Sequence, residues 1–456
     1  MGTVHSLKTN TTSSANYTST SPRDVISQTG KYMLADVFNI VLDLDKSHGN
    51  RLVDAASGRE YLDCFSFIAS NPLGYNHPAL SDPEFEKKLL RAAKLKPSNS
   101  DLWTVELADF VSTFARVGIP AELPHLFLVD GGTLAVENGL KAAFDWKVRL
   151  NFMRGMTQER GTKIIHFKEA FHGRSGYGLS LTNTADPKKT KFFPKFDWPR
   201  INNPKLSFPV TANVINQVKA EEDAAINEIL SILKTEGDDV AAIIIEPIQG
   251  EGGDNHFRTE FHQALRRIAD ENDLLLIYDE VQSGVGLTGK FWAYQHYGMT
   301  PDILCFGKKM QVCGILASPR IDTIPNNVFV ETSRINSTWG GNLTDMVRAE
   351  RFLQVIEAEG LVQNAATVGK ELLAGLEALE AKYPHLVSNS RGKGLMCAYD
   401  LPTTELRDKV TAGAMDRGLI VLKCGFRSVR LRPTLTFSSV EVKEVLGIFE
   451  EIIKTL

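Results

Sequence analysis

Between residues 123 and 307 the chain alternates short, almost continuous apolar runs with longer stretches of helical period, a pattern that few folds accept. The runs are HLFLVD (125–130), TKIIHF (162–167), VAAIIIEP (240–247), LLLIYD (274–279) and DILCFG (302–307). Runs of this length, rich in leucine and β-branched residues and without a polar face, read as strands covered on both sides. The segments between them supply the cover. Val136, Leu140, Ala143 and Phe144 fall on one helical face, and FHQALRRIADEND is amphipathic. The pattern predicts an α/β fold in which a mainly parallel sheet of the seven-stranded type lies between helices.

After residue 344 the rhythm changes. Met346, Ala349, Phe352, Leu353 and Ile356, then Leu372, Leu373, Leu376 and Leu379 beyond Gly360, predict two helices, the second ending before Pro384. Short strands are expected at GLMCAYDL, GLIVL and SVRLRP. A closing helix from about Val440 has a capping box, Ser438-x-x-Glu441, and an apolar stripe of Val445, Phe449, Ile452 and Leu456. At 456 residues the chain exceeds what one core usually supports. The expected division is a disordered Ser/Thr/Asn-rich tail (1–22), an N-terminal segment belonging to the small domain (23–75), a large domain (76–344) and a smaller α+β domain (345–456).

Composition narrows the function. A net charge of −4, with 51 basic and 55 acidic residues interspersed, gives no footprint for nucleic acid. No apolar run approaches the roughly 20 residues that span a bilayer, so no membrane association is expected. Five scattered cysteines without a C-x-x-C pair argue against structural zinc and for a reducing, cytoplasmic compartment. The tail lacks the apolar core of a secretory signal. Its opening MGTVHS fits the myristoylation pattern only formally, and no targeting is read from it.

Open parallel sheets bind ligands beyond the carboxyl ends of their strands. Those ends carry Gly131-Gly132-Thr133; Phe171, His172 and Arg174; Glu246 and Glu251; Asp279 and Gln282; and the pair Lys308-Lys309. Gly132-Thr133 at a helix start offers unpaired N–H groups and a hydroxyl, which suit a phosphate. The segment is neither G-x-G-x-x-G nor a Walker A loop, which disfavours dinucleotides and ATP. Asp279 needs a cationic or N–H partner. A desolvated lysine at the adjacent strand end can form a Schiff base. Only one of Lys308 and Lys309 can face the ligand, because successive residues at a strand end point to opposite sides. Phosphate cradle, strand-end carboxylate, aromatic residue and lysine together describe a pyridoxal 5'-phosphate site, with no metal.

The block Asp279-Glu280-Val281-Gln282 followed by Gly307-Lys308, with EAFHGRSG, EPIQGEGG and SVRLRPTL in that order, resembles the class III aminotransferases of pyridoxal-phosphate fold type I, from roughly residue 30 to the end. KPSNSD, LPHLF, FPKFDWPRI, GLTG, FGKKMQVCG and NSTWGGNLTDMVR look like the branch that acts on the ε-amino group of L-lysine; the 4-aminobutyrate branch is next nearest. The resemblance implies that Lys308 is the Schiff-base lysine and Asp279 the partner of the ring nitrogen. Gly132 and Thr133 would bind phosphate, Thr133 standing where the family more often has Ser or Ala. Phe171 and Val281 would flank the ring, and Gln282 would contact its hydroxyl and the substrate. Thr338 would reach the phosphate of a neighbouring subunit, which implies a homodimer with sites at the interface.

The resemblance further implies transfer from L-lysine to 2-oxoglutarate, giving L-2-aminoadipate 6-semialdehyde and L-glutamate. Arg174 would hold a distal carboxylate. Glu251 would pair with Arg430 while lysine reacts, then release it for 2-oxoglutarate. Another ω-amino donor such as 4-aminobutyrate, an aminomutase, and a non-catalytic phosphate-ligand-binding protein on the same sheet are the alternatives. His172 reads as a ring contact or a packed residue, and Cys305 and Cys313 as small apolar fillers.

Overall fold

The six residues of VAAIII form the strand Val240–Ile245 and are all buried, as a strand covered on both faces requires. In the computed structural model, which describes residues 19–34 and 38–456, this strand lies inside a seven-stranded sheet. The order across the sheet is His125–Val129, Cys313–Ala317, Ile303–Phe306, Leu275–Asp279, Val240–Ile245, Lys163–Phe167 and Arg200–Ile201. From Ile303–Phe306 to Arg200–Ile201 every neighbouring pair is parallel.

Cys313–Ala317 departs from the expected pattern, running antiparallel to both of its neighbours. The reason is the length of its connection. Parallel neighbours need a crossover of a dozen or more residues, and only Gly307 to Val312 lie between Phe306 and Cys313, so the chain must turn back. Its short run, CGILA, carries too little alternation to announce a strand.

The helix Gly132–Met153 lays Val136, Leu140 and Ala143 against one face of this sheet. Cys305 is fully buried beneath it, and a Cβ placed on Gly139 would come within 3.1 Å of the Cys305 Sγ. That close approach gives the cysteine a packing role. Cys313 is only half-buried. The helix Thr259–Glu271 covers the opposite face with Phe261, Leu265 and Ile268.

The helices Leu343–Ala358 and Leu361–Lys382 are separated by Gly360, whose φ of 61° is the left-handed conformation that glycine adopts without penalty. A four-stranded antiparallel sheet follows, in the order Ser388–Lys393, Met396–Asp400, Ser428–Leu431, Leu422–Cys424. The segment GLIVL is divided between two sheets, since Leu419–Ile420 pairs instead with Glu60–Asp63. The closing helix Ser439–Ile453 has the expected capping box from Ser438 and Glu441. Leu456 lies beyond its end and is exposed, so the apolar stripe stops at Ile452 and Ile453. The disordered tail read over residues 1–22 lies, up to residue 18, outside the described residues, and Pro22–Asp24 forms a 3-10 turn.

Candidate active site

At the carboxyl ends of the parallel strands is a cavity of about 450 Å³. Gly132, Thr133, Phe171, Arg174, Glu251, Asp279, Val281, Gln282, Lys308 and Arg430 all line it. These residues come from segments nearly three hundred positions apart. Thr338 does not join them: it is exposed, in a turn, and does not line its own chain's cavity.

Lys308 follows the strand Ile303–Phe306 and Gly307, opening one turn of 3-10 helix with φ of +49°. Burial pushes its amine below the usual lysine range and Arg430 pushes the same way, while Asp279 opposes. Both effects favour the uncharged, nucleophilic form of the amine over what an exposed lysine would show. Lys309 turns away from the cavity and is 2% exposed, its amine pushed well down by burial and then by Arg432 and Lys308. Its Nζ donates to the Ala69 carbonyl at 2.9 Å.

That carbonyl ends an unusual turn. Ser66, Phe67, Ile68 and Ala69 have φ of 40°, 54°, 58° and 65°, four successive left-handed residues, and Ile68 lines the cavity. Such a conformation costs roughly 1–2 kcal/mol per non-glycine residue. Its surroundings hold it: the Asp63 Oδ1 accepts from the N–H groups of Phe65 and Ser66 at 2.7 and 2.8 Å. The Ser66 hydroxyl donates to the Arg432 carbonyl at 2.5 Å, and Gln311 Nε2 to the Ser70 carbonyl at 2.7 Å. Lys309→Met removes the donor to Ala69 while keeping the volume, so it is expected to destabilise the fold by about 1–3 kcal/mol. By freeing Ile68 it should also raise KM for the amine donor more than it lowers kcat. Denaturant unfolding and steady-state kinetics check the two parts.

Asp279 ends its strand with both oxygens engaged. Its Oδ2 is 2.8 Å from His172 Nδ1, and its Oδ1 accepts from the Val281 N–H at 3.0 Å. His172 thus orients the carboxylate from inside the cavity wall; its Nε2 has no partner. Beneath them Glu246 is buried, its carboxyl pushed up to about 7 by burial, with His172 opposing and Asp279 reinforcing. Its two oxygens accept from the N–H groups of Phe171 (2.8 Å) and Gly250 (3.0 Å), tying together the loops that carry the aromatic ring and Glu251.

Across the cavity the helix Gly132–Met153 begins at Gly131 with no side-chain cap. Its dipole and free N–H groups therefore point at a ligand position. The buried Thr133 hydroxyl has no partner among the described residues. A Cβ on Gly173, at φ +136°, would lie 2.0 Å from that oxygen, so only glycine fits there. An uncapped helix start, an orphaned hydroxyl, a lysine on the cavity wall and an oriented carboxylate are the donor set that pyridoxal phosphate needs.

The remaining wall is cationic. Arg174 sits 6.0 Å from the centre of the Phe171 ring and has no ion pair among the described residues. Arg430 is buried, held down in basicity by that burial and by Arg432. Its Nη1 donates to Gln282 Oε1 at 3.2 Å and its Nε has no partner among the described residues. Arg432, fully buried, donates to the same Gln282 oxygen at 3.0 Å and forms a two-pronged pair with Asp254. Glu251 does not pair with Arg430 here. Its Oε1 accepts from Thr184 Oγ1 at 2.7 Å and from Lys189 Nζ at 2.5 Å.

Sequence reasoning missed Ile68, Thr184, Lys189 and the Asp254–Arg432 pair. Lys189 sits in PKKTKFFPKF, where a run of lysines reads as a solvated loop. Asp254 closes the EGGD turn, and only the adjacency of Arg430 and Arg432 on one strand face hinted that a second carboxylate was needed.

The chain matches the class-III aminotransferase family over residues 32–453. It is 54% identical over 430 residues to the L-lysine-epsilon aminotransferase of Mycobacterium tuberculosis, covering 94% of this chain and 95% of that one. It is 50% identical over 427 residues to the enzyme of that name from Amycolatopsis lactamdurans, covering 93% and 94%. The solved structure of lysine aminotransferase from M. tuberculosis in the internal aldimine form superposes with a TM-score of 0.93 at 52% identity, covering 96% of this chain and all of that one. An agreement this long, on a cavity whose donors fit the cofactor, leaves one family: the chain belongs to the pyridoxal-phosphate-dependent class-III aminotransferases.

Proposed function

We propose that this enzyme moves the ε-amino group of L-lysine to 2-oxoglutarate, giving L-2-aminoadipate 6-semialdehyde and L-glutamate. The observation that carries the reading is a cavity with two arginines, Arg174 and Arg430, and one carboxylate, Glu251, that is not committed to either. L-Lysine presents an amine on a carbon without a carboxylate, and its only carboxylate lies at the far end. 2-Oxoglutarate carries one carboxylate beside the reacting carbon and another at its far end. Arg174 suits the distal carboxylate of both through a bidentate fork. Arg430 suits the second carboxylate of 2-oxoglutarate, but beside lysine it would be a buried charge without a counterion. Glu251 would supply that counterion in the lysine half-reaction and withdraw in the other.

Lys308 would hold pyridoxal phosphate, which when bound would supply the electron sink for the carbon that loses or gains the amine. Asp279 would keep a proton on the ring nitrogen, its direction fixed by His172. Phe171 and Val281 would hold the ring between them, and Gln282 would meet its hydroxyl. Gly132 and Thr133 would bind the phosphate. Lys308 would carry the proton to and from the substrate carbon. Thr338 of a second copy would complete the phosphate site, so the working unit is a homodimer. Five unpaired cysteines support a cytoplasmic setting, and no helix among the described residues is long and apolar enough to cross a membrane.

Mixing the purified enzyme with single amines tests the donor. L-Lysine should exceed ornithine and 4-aminobutyrate in kcat/KM by about tenfold or more; parity with 4-aminobutyrate would reassign the donor. The Glu251→Gln enzyme should lose about 10- to 100-fold in the lysine half-reaction, with the glutamate half-reaction changed no more than about threefold. Equal losses in single-turnover measurements would rule out the exchange at Arg430.

A further inference from the structure

Glu251 has to go somewhere when it leaves Arg430, and the protein holds it there. The turn after Thr182 carries Thr184, whose hydroxyl donates to Glu251 Oε1 at 2.7 Å and accepts the Asp186 N–H at 3.2 Å. Asp186 in turn caps the 3-10 turn Pro187–Lys189 by accepting from the Lys188 N–H at 3.1 Å. The chain that bears Lys189 is thus fixed at both steps, and its ammonium reaches the same Glu251 oxygen at 2.5 Å. The second oxygen of Glu251 is buried without a partner among the described residues, as is Nε of Arg430. Glu251 nevertheless still favours the charged form of Arg430 through space. Lys189 and Glu251 together form the wall between the active-site cavity and a second cavity of about 560 Å³, bounded on its far side by Arg407, Lys423 and Phe426.

We propose that Lys189, assisted by Thr184, is the resting partner of Glu251, so that acceptor and donor binding are governed by competition between two cations, Lys189 and Arg430, for one carboxylate. The inference rests on the two-substrate reading above and adds to it a positioning residue that touches neither substrate. A single carboxylate shuttling between a buried guanidinium and a polar surface could simply face water in its withdrawn state. A fixed ammonium at that position instead lowers the free energy of the withdrawn state, and Arg430 is then available to a dicarboxylate before the dicarboxylate arrives. Because Glu251 Oε1 is shared between Lys189 and Thr184, the ion pair contributes most of the preference and the hydroxyl less.

The test uses the holoenzyme and glutarate, a dicarboxylate of the same length as 2-oxoglutarate that has no carbonyl to react. Calorimetry on the Lys189→Gln enzyme is expected to show glutarate binding weakened about tenfold, because Glu251 now rests on Arg430. KM for L-lysine should be unchanged or lower. Thr184→Val should weaken glutarate by about threefold. In a Glu251→Gln background the Lys189→Gln loss should vanish, since there is no longer a charge to hold. Unchanged glutarate binding in Lys189→Gln overturns the proposal. So does a tenfold loss that persists in the Glu251→Gln background, which would mean that Lys189 touches the dicarboxylate itself. If Glu251→Gln slows both half-reactions equally, the two-substrate reading falls and this inference with it. A selective lysine defect in Glu251→Gln beside unchanged glutarate binding in Lys189→Gln overturns the inference alone.

Discussion

Lys308→Ala is expected to lower kcat for the complete reaction by about 10⁴-fold or more, because under the proposed function it removes the covalent anchor and the proton carrier in one change. Borohydride reduction and peptide mass analysis should find cofactor mass on residue 308 of the parent enzyme and on no lysine of the variant. Lys309 provides the internal control. It is adjacent in sequence and more deeply buried, but its amine is committed to the Ala69 carbonyl on the other side of the wall. Lys309→Met should therefore keep the modified Lys308 peptide. Cofactor mass on residue 309 in the parent enzyme or in Lys308→Ala would reverse the assignment. The structural origin of the difference is the backbone at residue 308, whose φ of +49° turns its side chain into the cavity just after the sheet ends.

Asp254→Asn carries the largest expected effect on stability. Arg432 is fully exposed to the protein interior and not at all to water, and Asp254 is its counterion. Breaking such a pair from one side leaves an uncompensated buried charge, worth about 3–5 kcal/mol. Asparagine keeps the shape and tolerates the left-handed φ of 51° at this position, so the loss isolates the charge. The measurement is the denaturant midpoint of the holoenzyme. The double variant with Arg432→Met should recover most of the loss, whereas a surface pair would show little change in either variant. Catalysis should suffer as well: Arg432 shares the Gln282 oxygen with Arg430, and its carbonyl receives the Ser66 hydroxyl that anchors the left-handed turn. The pair is thus a support behind the substrate wall.

The central strands Val240–Ile245, Leu275–Asp279 and Ile303–Phe306 were legible because each is a short, almost wholly apolar run buried along its whole length. The capping box at Ser438 was legible for a similar reason, being a local exchange of hydrogen bonds within four residues. Cys313–Ala317 was not, although the six-residue connection before it already required a reversal of direction. The turn at Ser66–Ala69 was less accessible still. Phenylalanine and isoleucine have no local preference for positive φ, and partners distant in sequence, Arg432, Lys309 and Gln311, help Asp63 to hold them there. His172, open between ring contact and packing from sequence, is a hydrogen-bond partner of Asp279, a fact that depends on residues more than a hundred positions apart.

What the sequence by itself determined was the set of chemical groups at the strand ends, because strand period and helix starts are local properties and they fix which residues emerge on one edge of a sheet. It also carried the ordered blocks that mark the family. Tertiary structure alone decided how those groups are paired: His172 with Asp279, Lys309 with Ala69, Arg432 with Asp254, and Glu251 with Lys189 in place of Arg430. The physical reason is that an ion pair or hydrogen bond is chosen by distances of about 3 Å between segments brought together only by packing, and a lysine in a basic loop looks the same in sequence whether it faces water or a buried carboxylate.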